Sequence, residues 1–129
     1  VSGKRIKVFF DGGCRPNPGR IEAAVVIRGM TYRFDDLGYG SNADAEWLAL
    51  IRAVTVASSV GLAQVELVGD AKDIVRRARA ILNEGAATSG HAVAFRAAVH
   101  AAAPMRVDVR WIKRQQNLAG IALAARHPR

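Results

Sequence analysis

The order in which the hydrophobic period changes along this chain most narrows what it can fold into. Residues 4–10 are rich in β-branched and aromatic side chains, and residues 23–27 and 31–34 repeat that character on either side of a turn around Gly29. Runs of this kind bounded by turn residues read as strands. The period then switches. After Ser41-Asn42, which is suited to cap a helix, residues 43–58 place Trp47, Leu50, Ile51 and Val54 at helical spacing. A short apolar strand is expected over 65–68, then a helix over 71–82 in which Lys and Arg alternate with Ile74, Val75, Ala78 and Ile81. Residues 83–90 read as a polar connector, and 91–102 as a helix carrying Val93, Phe95 and Val99 that ends before Pro104. Val107, Val109, Trp111 and Ile112 mark a last strand, and 118–126 a terminal helix. The order β-β-β-α-β-α-α-β-α predicts an α/β fold: a five-stranded mixed sheet, antiparallel meander first and parallel crossovers after, flanked by helices. Trp47 and Trp111 are expected in its core.

At 129 residues, half of them hydrophobic, the chain has material for one core and is read as a single domain over 1–129. Nineteen Lys and Arg against eleven Asp and Glu leave a net charge of +8, so the summed field attracts polyanions and makes nucleic acid the first partner class to consider. A single cysteine, Cys14, forbids an internal disulfide and leaves a reducing, cytoplasmic setting as the expectation. No apolar run has the length of a membrane span and no signal-peptide pattern opens the chain, so no membrane association is expected, and a monomer is. Val1 stands where a start methionine would, which suits a domain cut from a longer polypeptide.

Three acids stand where chemistry could be built. The first strand is expected to stop at Asp11, before the exposed, turn-rich run 11–19 (DGGCRPNPG); Asp70 follows the fourth strand, and Glu46 lies in the first turn of the first long helix. If strands one and four are parallel neighbours, Asp11 and Asp70 emerge side by side at their carboxyl ends, where ligand sites of open α/β sheets form. A third carboxylate from a helix crossing that edge makes a cluster whose repulsion a hard cation relieves. Each acid also has an ordinary alternative: Asp11 as a turn residue, Glu46 as an acid favoured by the helix dipole, Asp70 as an N-cap with Asp73 reaching back.

The chain resembles the type 1 ribonuclease H family over nearly its whole length. Asp11-Gly12-Gly13-Cys14-Arg15-Pro16-Asn17-Pro18-Gly19 is similar to the family's D-G-x-x-x-x-N-P-G segment, Ser41-Asn42-Ala43-Asp44-Ala45-Glu46 to its T-N-N-x-A-E, and Gly69-Asp70-Ala71 to its strand-end (T/G/S)-D-S. Residues 111–124 are similar to W-V-x-R-x-x-N-x-x-A-D-x-L-A. The resemblance implies a nuclease that hydrolyses the RNA strand of RNA/DNA hybrids with Mg2+, or Mn2+ in its stead. It makes Asp11, Glu46 and Asp70 both catalytic residues and metal ligands. It places Gly12, Gly13, Cys14, Arg15, Asn17, Asn42, Arg114 and Asn117 against the substrate, although Cys14 reads equally well as a small, partly buried thiol.

The same register puts Ile121 where the family's fourth carboxylate belongs, and no Asp or Glu follows Asp108. An aliphatic side chain cannot ligate magnesium. The implied activity is therefore impaired, or the chain is a catalytically degenerate domain that binds RNA/DNA hybrid or RNA. Glu22 and Asp44 are the nameable acids that could compensate, with Glu22 expected as a surface residue at a strand start. The longer bacterial members carry a mobile-loop His ahead of the fourth acid. Residues 113–116 have none, and His127 is expected to be a solvated tail residue. Arg110, Lys113 and Arg114, or Arg76, Arg77 and Arg79, could neutralise phosphate or serve as solvated faces. The connector 83–90 lacks the basic, Trp-containing protrusion with which some members grip hybrid.

Overall fold

The computed structural model describes residues 4–127. Its strands are β1 (Ile6–Cys14), β2 (Gly19–Ile27), β3 (Met30–Phe34), β4 (Tyr39–Gly40), β5 (Gln64–Gly69) and β6 (Arg106–Trp111). The helices are α1 (Asn42–Ser59), α2 (Lys72–Glu84), α3 (Gly90–Ala101) and α4 (Leu118–Ala125), with a 3-10 turn at Arg114–Gln116 before the last. The sheet order is β3-β2-β1-β5-β6, and β4 adds two residues against the start of β2. β1–β2 and β2–β3 pair antiparallel, while β1–β5 and β5–β6 pair parallel, as the meander-then-crossover order predicts. The short β4, Tyr39–Gly40, is an element the sequence pattern did not announce.

Alternation along β1 assigns its two faces. Val8 and Phe10, fully buried, point into the main core, which Trp47, Leu50 and Val54 of α1, Val75 of α2 and Phe95 of α3 complete. On the opposite face α4 lays Ala119 and Leu123 over Ala24 and Val26, with Phe9 packed against them. The sheet is thus covered by three helices on one side and one on the other. Truncating Phe10 or Phe95 to Ala would cost about 3–5 kcal/mol, the usual range for emptying an aromatic site in a core. Gly69 exists for Phe10, since a Cβ there would lie 2.5 Å from the ring.

Two sequence expectations need correction. Residues 11–14 are not loop: β1 continues through them, pairing Gly12 with Ala23, Gly13 with Glu22 and Cys14 with Ile21. The glycines signal a close backbone approach rather than a turn, because a Cβ on Gly12 would sit 2.1 Å from the Ala45 carbonyl oxygen of α1. Trp47 is in the core, but Trp111 is 37% exposed. It ends the edge strand, with its Nε1–H donating to the Asp70 carbonyl (3.1 Å) and Lys72 Nζ lying 4.8 Å from the ring centre. Among the described residues no helix is long and apolar enough to cross a membrane.

Candidate active site

The three predicted acids converge because of strand register. Parallel pairing of Phe9 with Val68 leaves Asp11 and Asp70 two residues further along, Asp70 just past the end of β5 and Asp11 on the part of β1 that runs on beyond that pairing. Glu46 comes from α1, whose start crosses that end. Ser41 caps this helix as expected: its hydroxyl accepts from Asp44 N–H, and the Asp44 carboxylate accepts from Ser41 N–H at 2.8 Å. The close approach at Gly12 brings α1 down onto β1, and Gly12 N–H donates to Glu46 Oε1 at 3.1 Å. One oxygen from each of Asp11, Glu46 and Asp70 lies within 4.8 Å of the others.

Neither Asp11 nor Asp70 has the ordinary role open to it in the sequence, and Glu46 lies beyond the first turn of α1, where the acid is Asp44. Asp11 is in a strand, not a turn, and the residue that precedes α2 at the N-cap is Ala71, without a side-chain cap. Asp73 does not reach back; it pairs with Arg76 and, at 3.1 Å, with Arg77. The carboxylate of Asp70 instead accepts from Asn117 Nδ2 at 2.8 Å. That nitrogen also donates to the Phe10 carbonyl at 3.0 Å, and Asn117 Oδ1 accepts from Ala119 N–H at the start of α4. Asn117 was expected against substrate, but it is fully buried and serves to position Asp70 and α4.

Burial dominates the electrostatics. Desolvation, followed by the Asp70 charge, pushes the Asp11 carboxyl up to about 7. Desolvation and then the Asp11 charge push Glu46 up to about 9. The Gly12 N–H and the Arg114 guanidinium, whose Nε is 3.9 Å from Asp70 Oδ1, offset only part of this. Three partly buried carboxylates brought this close, with only oxygen donors, fit a hard divalent cation and do not suit a soft one. The donor set therefore fits a divalent metal ion, the class of cofactor that the resemblance implied.

The acids form the floor of an open cleft of about 670 Å³. Gly12, Gly13, Cys14, Arg15, Asn42 and Arg114 line it, which brings most of the residues expected at the substrate onto one surface. Asn17 stands behind them: its Oδ1 accepts from Asn42 N–H at 3.1 Å, and Asn42 Oδ1 accepts from Cys14 N–H at 3.2 Å, tying the loop to α1. Cys14 is buried, and its thiol packs with Ile21 and Ala45 and donates to Asn42 Oδ1 at 3.4 Å. Helix α4 supplies the far wall, where Ile121 is 54% exposed and Gly120 lies against Asp11, so close that a Cβ would be 3.4 Å from Oδ2.

One residue expected to be peripheral is at this cleft. Glu22 lines it, with its side chain only 14% exposed, while His127 is exposed as expected and lies outside the lining, its Nε2 2.6 Å from Glu22 Oε2. The signal for Glu22 was the register: once β2 begins at Gly19, Glu22 faces Gly13 and shares the Asp11 face of the sheet. Asp44, the other acid weighed, stays at the helix cap, bonded to His91 Nε2 at 2.8 Å. Ser41 and His91 hold its carboxyl below the usual range. Of the arginines considered for phosphate, Arg110 pairs with Glu66 at 3.1 Å, whereas the Arg114 side chain is 87% exposed at the cleft.

A mixed sheet with this strand order, helices on both faces and acids at the ends of its two central strands defines a ribonuclease H-type fold. The chain belongs to the reverse transcriptase-like family, whose profile matches residues 9–127. The fold superposes on the crystal structure of RNase H1 from the halophilic archaeon Halobacterium salinarum NRC-1, with a TM-score of 0.71 and 25% identity over 93% of this chain and 94% of that one. It also superposes on LC11-RNase H1, solved in complex with an RNA/DNA hybrid, with a TM-score of 0.67 and 26% identity over 92% and 93% of the two chains. In sequence, 75 residues are 35% identical to a ribonuclease HI of Halobacterium salinarum, 54% of this chain but only 38% of that protein's length.

Proposed function

We propose that this chain is a divalent-metal-dependent endonuclease that hydrolyses the RNA strand of RNA/DNA hybrids, at a rate reduced by the aliphatic side chain at position 121. The observation that carries this is the convergence of Asp11, Glu46 and Asp70 on the floor of an open cleft. A domain that only bound nucleic acid would gain nothing from three clustered carboxylates that repel the phosphate. The hybrid held by LC11-RNase H1, a structural relative, supports the substrate class. In the reaction a water oxygen adds to phosphorus, giving up a proton to solvent, and the P–O3′ bond breaks. Its electron pair stays on the 3′-oxygen, which takes a proton from solvent, leaving a 5′-phosphate and a 3′-hydroxyl. Asp11, Glu46 and Asp70 would hold the cations, Mg2+ or Mn2+, that neutralise the phosphate and the departing oxygen. The backbone from Gly12 to Arg15, with Asn42, would meet the RNA strand, whose 2′-hydroxyls mark it apart from DNA. Arg114 would meet a phosphate.

A second reading is favoured by Ile121 itself: a degenerate domain that binds hybrid or RNA without cutting it. Cleavage of a labelled hybrid in Mg2+ and in Mn2+ by the parent, Asp11→Asn and Ile121→Asp separates the two. Metal-dependent cutting by the parent that Asp11→Asn abolishes is the result expected of the nuclease. A parent that binds but never cuts, and an Ile121→Asp variant that does, would overturn it in favour of the binding domain.

A further inference from the structure

The basic side chains of α2 take no part in the proposed chemistry, yet they are more than a solvated face. Lys72, Arg76, Arg79 and Asn83 recur at helical spacing along one side of α2, a stripe about 16 Å long at 1.5 Å per residue. That side forms one bank of an open groove of about 560 Å³, and Trp111 at the end of β6 belongs to the other. The positive charge there is largely uncompensated. Asp73 is shared between Arg76 and Arg77, while Lys72 and Arg79 have no acid within ion-pair distance among the described residues. The one acid of the lining, Glu84, stands at the far end of α2. Trp111 is the exposed one of the two tryptophans, and Lys72 Nζ carries its charge over the ring. Groove and cleft meet at Asp70, whose carboxylate lies near Arg114 in the cleft and whose carbonyl accepts from Trp111 Nε1–H. A polyanion lying over the acids therefore runs on into the groove.

We propose that this groove holds an unpaired stretch of the RNA strand where it leaves the hybrid, with one base stacked on Trp111 and the phosphates along Lys72, Arg76 and Arg79. The inference rests on the reading of the cleft as a site that cuts RNA in a hybrid, because that reading decides which strand crosses Asp70. A basic groove with an aromatic platform is suited to single strands, since every base offers a face to stack and the cations follow the backbone. A paired strand cannot use it in full. Its bases are already stacked within the duplex, and only sugar and phosphate are left to meet the indole. A nucleotide stacked on Trp111 also brings its phosphate to Lys72, already placed at the ring. The consequence is a preference among hybrids: one whose RNA strand ends in a single-stranded tail is held more tightly than a blunt one.

The test is equilibrium binding of the intact chain at low salt in EDTA, which keeps the RNA uncut, read by fluorescence anisotropy. The probes are a short labelled hybrid that is blunt and the same hybrid with an unpaired, adenine-rich tail on the RNA strand, at either end, or on the DNA strand. An RNA tail at one end is expected to tighten binding about tenfold, within the worth of one stacked base. It should also quench the fluorescence of Trp111, with the buried Trp47 as the unquenched reference. The exposed pair Arg76→Ala/Arg79→Ala is expected to remove most of that gain and to lower its salt dependence, leaving the blunt hybrid within twofold. Trp111→Leu loses the gain, whereas Trp111→Phe, which keeps a ring but not the bond to Asp70, retains most of it. No gain from an RNA tail at either end, an equal gain from a DNA tail, or a gain that the arginine variant leaves intact each overturns the proposal. Cleavage of the blunt hybrid in Mg2+ and in Mn2+ tells the two levels apart. Cutting without a tail effect keeps the nuclease and rejects the groove, whereas a tail effect in a chain that never cuts keeps the groove and rejects the nuclease.

Discussion

On one wall of the cleft the functional side chains are fixed by bonds to the fold itself. Gly12 N–H holds Glu46, Asn117 holds Asp70, and Asn42 and Asn17 tie down the loop that follows β1. On the other wall, α4 contributes Gly120 and the exposed, apolar Ile121, and just beyond its end Arg126 pairs with Asp35 and His127 lies 2.6 Å from Glu22. The first wall cannot change without disturbing the core, because its partners are the central strands. The second is a surface helix whose residues can be exchanged at little structural cost. A carboxylate lost from the second wall is therefore tolerated by the fold, while the three on the first remain.

Experiments can break or sharpen that contrast. Gly12→Ala should have the largest effect: its Cβ would meet the Ala45 carbonyl at 2.1 Å, backbone against backbone, and urea unfolding is expected to show a loss of about 3 kcal/mol. Asn117→Ala comes next. It leaves the Phe10 carbonyl unpartnered and frees Asp70, so Mn2+ affinity should fall about 10–100-fold, as for other groups that orient metal ligands. Unchanged Mn2+ binding in that variant would contradict the division between fixed and free walls.

The first wall also predicts a pH effect. In the folded chain Asp11 and Glu46 keep their protons up to about 7 and about 9, whereas the unfolded chain releases them near 3.8 and 4.5. Between those limits the folded state binds more protons, so stability falls as pH rises through the interval. With EDTA present, the melting temperature should drop by several degrees between pH 5 and pH 9. Added Mg2+ should flatten the slope, and so should the Asp11→Asn/Glu46→Gln double variant. A melting temperature that rises over this range would show that the carboxylates are not held in mutual repulsion. The smallest effect belongs to the second wall: Ile121→Asp is expected to change stability by no more than about 0.5 kcal/mol, because the side chain is 54% exposed.

Much of the first wall could be read from sequence because its signals are local. An Asp after a β-branched run, a capped helix with an acid in its first turns and an Asp closing a short apolar strand each announce their own element, and the strand order brings them together. The extent of β1 was not legible in this way. Gly12 and Gly13 look like a turn unless one knows that α1 approaches within the space of a missing Cβ, a contact between residues more than thirty positions apart. Glu22 was misplaced for the same reason, since its facing depends on the register with Gly13. Trp111 was assigned to the core on hydrophobicity, yet its strand is the sheet edge, a fact set by the pairing of β5 with β6. Asn117 matched a motif, but nothing local reveals that its amide reaches Phe10 and Asp70 at once.

That reach has a bearing on synthesis as well as on geometry. Residues 4–116 include all three floor acids, both central strands and the main core, yet the amide that bridges those strands lies after them in the chain and leaves the ribosome after them. A nascent chain can thus bury its hydrophobic side chains well before Asp70 is locked in place. The cleft is completed as α4 docks, which separates in time the acquisition of a stable body from the acquisition of an ordered acidic floor.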